Sequence, residues 1–141
     1  MLKDAVACGF PSPAANHVEK TLDINELIVK SPAATFFMKA SGSSMQDAGI
    51  FDGDVLVVDR SLTPKTNDVV IAAVHGELTV KRLVLDGEDK FLASENSETN
   101  IRIQINEGVT FWGVVTFVIH GFRKAVGAEV EEETQSLDTI S

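Results

Sequence analysis

A single cysteine, Cys8, is all the thiol chemistry the chain carries. It excludes an internal disulfide framework and a cysteine-built zinc site, and it fits a reducing cytoplasm. Cations are scarce as well: 12 Lys and Arg stand against 21 Asp and Glu, a net charge of −9. A surface that grips phosphates needs a cationic stripe, so no direct nucleic-acid binding is expected. No apolar run approaches the roughly 20 residues of a membrane helix. The apolar stretch in MLKDAVACGF is too short for a secretory signal, and no membrane association is expected. Familiar catalytic patterns are missing too. From Gly42 the chain reads G-S-S-M-Q, which fails the G-x-S-x-G template. S-x-x-K, H-E-x-x-H, the P-loop and G-x-G-x-x-G are absent. No cofactor and no metal is expected.

What is present is the material of one domain. The chain has 141 residues, 44% of them hydrophobic and 23% charged, enough for a single globular core. Residues 1–16 contain Cys8-Gly9-Phe10-Pro11-Ser12-Pro13, and the prolines push Phe10 and Ser12 toward extended backbone. In residues 17–30, Val18, Leu22, Leu27 and Ile28 suit short helical turns, with Asp23 and Glu26 spaced as a capping box. From Ala34 onward the texture is β: apolar runs at 35–39, 55–59, 69–74, 78–85, 91–93, 101–105 and 109–122. Gly53-Asp54, Pro64, Asn67-Asp68 and Gly87 break them, and His75-Gly76 reads as a tight hairpin turn. These strands predict a compact, mostly antiparallel β-domain, either a sandwich or a partly closed barrel. The run at 111–122 reads as an uncovered strand that would pair with a second chain, so a homodimer is expected. After Lys124 five acidic residues occur without a cation, which predicts a solvated, disordered acidic tail over 125–141.

The chemistry concentrates in two places. In Ala40-Ser41-Gly42-Ser43-Ser44-Met45, three serines surround a glycine directly after an apolar strand. Residues 45–49 would make about one helical turn, placing Ser43 or Ser44 at its N-terminus. Unpaired backbone N–H groups there suit an oxyanion. A hydroxyl at that point needs a base to become a nucleophile. His17, His75 and His120 read as structural or exposed residues, which leaves lysine. In Glu77-Leu78-Thr79-Val80-Lys81-Arg82-Leu83, alternation sets Lys81 and Arg82 on opposite, equally apolar faces. One of the two cations should be partly desolvated, and only lysine can respond by losing its proton. A lysine acting near neutrality must fall from about 10.4 to about 7, roughly 4 to 5 kcal/mol, within reach of apolar burial. The plainer alternative is a strand lysine whose stem lies on apolar surface while its ammonium meets water.

Taken together these segments resemble the self-cleaving Ser–Lys protease domain of the LexA/UmuD family. The likeness covers residues 8 to about 123. It rests on Cys8-Gly9-Phe10-Pro11-Ser12-Pro13-Ala14-Ala15, on residues 40–45, on Gly49-Ile50-Phe51-Asp52-Gly53-Asp54, and on residues 69–74 followed by Thr79-Val80-Lys81-Arg82-Leu83. It is closer to the UmuD branch than to the repressors, and no helix-turn-helix domain is expected. The resemblance implies Ser44 as nucleophile, Lys81 as general base and Cys8–Gly9 as the scissile peptide. The Ser43 and Ser44 backbone amides are the candidate oxyanion site, and Asp52, Gly53 and Asp54 shape the turn. It further implies a bacterial cytoplasmic homodimer and self-cleavage stimulated by the RecA–single-stranded DNA filament. The shortened product would then serve a UmuC-type translesion polymerase in the SOS response to DNA damage. The expected organisation is an arm with the cleavage site over 1–30, a protease β-domain over 31–124 and the acidic tail beyond. Extended, the arm spans up to about 85 Å from Gly9 to Ala34, enough to reach its own Ser44 or a partner's. Two other readings compete: a non-catalytic β-dimer acting only as a polymerase accessory module, and a leader-peptidase-like enzyme acting on other proteins.

Overall fold

The computed structural model describes residues 21–123 and 137–141; Cys8, Gly9 and His17 lie outside the described residues. The chain enters through a short helix, α1 (Ile24–Ile28). Its cap is Asp23, whose carboxylate accepts the Asn25 N–H at 2.9 Å, without the reciprocal Glu26 bond of a full capping box.

Eight strands follow in one sheet: β1 (Thr35–Ala40), β2 (Val55–Asp59), β3 (Val69–Val74), β4 (Glu77–Asp86), β5 (Asp89–Ala93), β6 (Arg102–Gln104), β7 (Val109–Ile119) and β8 (Thr139–Ile140). Their order across the sheet is β6-β5-β4-β3-β7-β2-β1-β8, and every pairing is antiparallel except β1 with β8. The expected mostly-β fold is present. All eight strands belong to one sheet that is not closed by a continuous ladder, and the Ser141 end of β8 reaches β4. The hairpin at His75-Gly76 forms as read, with φ of 49° and 85° at its two residues.

The run at 111–122 is not an uncovered edge. The first half of β7 pairs with β3 and its second half with β2, Val114 serving both. That double duty explains a strand of 11 residues beside partners of five and six. Two register shifts, at Val57/Val58 and Ile71/Ala72, bend β7 where it passes from one partner to the other. Gly113 lies in this bend because a Cβ there would come within 2.6 Å of Val58. Expectation of a dimer through this strand's edge is therefore withdrawn.

Curling buries apolar groups on both faces of β3. Ile71 joins Met38, Ala40, Met45, Ile50, Leu56, Val58, Val80 and Ile140 in one cluster. Val70 and Ala72 join Leu83, Leu92 and Val114 in the other. Ile140 belongs to the first, so the expected solvated tail is not solvated at its end: β8 lies against β1, with Ile140 only 3% exposed.

Candidate active site around Ser44 and Lys81

β1 delivers the chain into the turn that carries Ser44. Gly42 takes a left-handed backbone (φ 81°), and its N–H is held by the Asp52 carboxylate at 2.9 Å. Gln46 N–H closes the turn onto the Ser43 carbonyl at 3.1 Å, leading into a single 3₁₀ turn, Gln46–Ala48, rather than an α-helix. The loop after β5 clamps this segment from outside. Asn96 Nδ2 donates to the Ser43 carbonyl at 2.6 Å, and Glu95 N–H donates to the Ser44 carbonyl at 2.8 Å. From inside, Met45 anchors it in the core at 1% exposure. The half-buried Ser44 keeps its Oγ free of hydrogen bonds to any described residue, and the Ser43 and Ser44 N–H groups likewise have no acceptor among them. Unengaged amides on a turn pinned at both carbonyls are suited to receive an oxyanion.

Lys81 occupies β4 at 5% exposure. Its ammonium does not reach water along an apolar stem, the plainer alternative raised above. Nζ instead donates to Thr79 Oγ1 at 2.7 Å and to the Val80 carbonyl at 3.1 Å. No carboxylate pairs with it among the described residues; Glu95 pairs with the adjacent Arg82 at 2.8 Å. Burial pushes the Lys81 pKa below the usual lysine range. The hydrogen-bond count agrees with that direction. A neutral amine has two N–H groups, which these two acceptors satisfy, and one lone pair left for an incoming proton.

Ser44 and Lys81 are not hydrogen-bonded to each other. Their chain neighbours Met45 and Val80 belong to the same core cluster. Glu95 ties the Ser44 carbonyl to Arg82 beside Lys81. Their surroundings differ, since Lys81 lines a cavity of about 440 Å³ with Thr79 and Ser141, while Ser43 lines another of about 430 Å³ with Phe51 and Asp52. Asp54 is buried and shapes the following turn by accepting the Phe51 N–H at 2.8 Å. It also contacts His120 Nδ1, which gives that histidine a structural task. His75 fills the hairpin against Gly108. Sequence reasoning missed Thr79 and Asn96. Strand alternation sets Thr79 on the Lys81 face two residues away, a usable signal; nothing local marks Asn96.

The peptidase S24-like family model matches residues 1–116, a span that holds the Ser44 turn, Lys81 and the Cys8–Gly9 pair. The chain belongs to the peptidase S24-like family. Its relatives include ImpA of Salmonella typhimurium, 44% identical over 124 residues, covering 88% of this chain and 85% of that protein. MucA of Escherichia coli is 46% identical over 112 residues, covering 79% of this chain and 77% of that protein. The LexA repressor of Glaesserella parasuis is 42% identical over 93 residues, 66% of this chain but only 44% of the repressor. The kinship with the LexA/UmuD group expected from the motifs is borne out. In this S24 chain, residues 117–141, β8 among them, lie beyond the family match.

Proposed function

We propose that this S24 protein is a serine endopeptidase that cuts itself between Cys8 and Gly9, with Ser44 as nucleophile and Lys81 as general base. The observation that carries the reading is the buried Lys81, paired with no carboxylate side chain among the described residues, whose two acceptors suit the neutral amine. The reaction requires that entry of the arm bring Ser44 Oγ within hydrogen-bonding reach of Lys81 Nζ. Lys81 takes the hydroxyl proton as Oγ attacks the Cys8 carbonyl carbon, and the Ser43 and Ser44 amides receive the oxyanion. The Cys8–Gly9 bond breaks as Lys81 returns the proton to the Gly9 amine, and water then hydrolyses the Cys8 ester. Because the substrate is tethered, proximity supplies much of the rate.

The cellular role follows the kinship. Cleavage is stimulated in the bacterial cytoplasm by the RecA–single-stranded DNA filament during the SOS response. The shortened protein acts as a homodimeric accessory subunit of a UmuC-type translesion polymerase. Phe37 and Phe117, exposed on either side of the buried Val57 with which both are in register, supply the dimer surface. Intact mass before and after filament addition tests the whole reading. Wild type should lose residues 1–8, whereas Ser44→Ala and Lys81→Ala should stay whole; an intact wild type would overturn it. The missing Ser44–Lys81 hydrogen bond favours one rival, a non-catalytic accessory module. That rival predicts no cleavage even in alkali, where a lysine base would be neutral.

A further inference from the structure

We infer that residues 137–141 are an internal occupant of the groove that the cleavage segment must enter, so that the protein restrains its own cleavage through β8. The inference rests on the Ser44–Lys81 reading above. A protease substrate binds extended, as an added strand beside the nucleophile. The strand running into the Ser44 turn is β1, and β2 already takes one of its edges. Its other edge is filled by β8: Lys39 N–H donates to the Asp138 carbonyl at 2.9 Å and Ser41 N–H to the Ile140 carbonyl at 2.7 Å.

The opposite wall of the same groove is the Lys81 strand. A Ser141 main-chain oxygen accepts from Val80 N–H at 3.2 Å and from the Thr79 hydroxyl at 2.8 Å. Thr79 spends its one proton on Ser141, so toward Lys81 it can only accept. Residues 138–141 therefore bridge β1, which leads into the Ser44 turn, and β4, which carries Lys81. Ile140 is their anchor, sunk among Met38, Met45, Leu56 and Val80. The arm offers a chemically similar rival: Ala5-Val6-Ala7-Cys8 sets one β-branched residue among small ones just before the cut. Both segments cannot hold the same β1 amides. A two-residue strand can be displaced without dismantling the sheet, and whatever draws it away opens the groove.

The test uses the full-length chain carrying Ile140→Asp, compared with wild type and Ile140→Val. Unstimulated loss of residues 1–8 at neutral pH, followed by intact mass, should speed up about tenfold in Ile140→Asp, the scale set by losing one buried isoleucine. Ile140→Val should stay near wild type. Hydrogen exchange at the Lys39 and Ser41 amides should accelerate in Ile140→Asp while Val70, Ile71 and Ala72 remain protected. Should those central amides also lose protection, Thr139→Pro, which keeps the isoleucine, is scored in the same way. Added Leu-Asp-Thr-Ile-Ser peptide should slow the fast variant, and the peptide with aspartate in place of isoleucine should not. Wild-type rates in the released variants would overturn the inference and leave the protease reading standing. Failure of every protein to cleave, in alkali included, would overturn that reading and the inference with it.

Discussion

Lys81 has given up water for two neutral acceptors, and its burial sets the direction of everything that depends on pH. With its folded pKa held below the unfolded value, the unfolded chain binds a proton more readily across the interval between them. Stability therefore rises with pH through that interval, and the cost of the buried charge is fully present only below the folded pKa. Lys81→Met should accordingly be the more stable protein at neutral and lower pH, by about 1 kcal/mol or more. The difference should fade as pH approaches about 10.4, which thermal melts across pH would reveal. Cleavage should follow the opposite population: its rate should climb with pH and level off below the ordinary lysine range. Asn96 acts at a distance from the chemistry. Asn96→Ala removes the donor to the Ser43 carbonyl and should slow cleavage several-fold. Its stability should fall by no more than about 1 kcal/mol, as single-turnover cleavage and a denaturant melt would show.

At the scale of elements, the sequence made most strands legible because each apolar run is short and ends at a turn residue. The hairpin at His75-Gly76 is the clearest case: its two residues adopt the positive φ that a two-residue turn demands. The last long run was misread for a physical reason. Its β-branched and aromatic content announces a strand but says nothing about which edges are covered, and β7 proved to be the strand shared by β2 and β3. Gly113 is the local trace of that sharing. Gly113→Ala should destabilise the sheet by about 1 to 3 kcal/mol, since the added methyl meets Val58 across the bulge. A fall in the urea midpoint measures it; a neutral result would mean that the bend relaxes freely. The Ser44 turn was legible as a turn, while the clamp from Glu95 and Asn96 was not, because those contacts join segments some 50 residues apart.

For the whole molecule, the unexpected feature is the return of residues 137–141 to β1 and β4. Composition made residues 125–141 look like solvent-facing acid, and the glutamates that carry that impression stop at Glu133. Ile140 is one apolar residue in a polar stretch, too sparse a pattern to announce a strand, yet it closes the seam between β1 and β4. If that seam is where the cleavage segment must enter, as proposed above, cleavage waits on the displacement of β8. The proposed homodimer, no longer supported by a free β7 edge, would then depend on the exposed Phe37 and Phe117. Phe117→Glu should leave the monomer folded and shift sedimentation toward the monomer. The most direct test of the central claim is the identity of the new N-terminus after prolonged incubation of purified protein in mild alkali. Wild type should begin at Gly9, and Ser44→Ala and Lys81→Ala should yield no new terminus. A wild-type chain still beginning at Met1, or a Gly9 terminus that persists without the Lys81 amine, would contradict that claim.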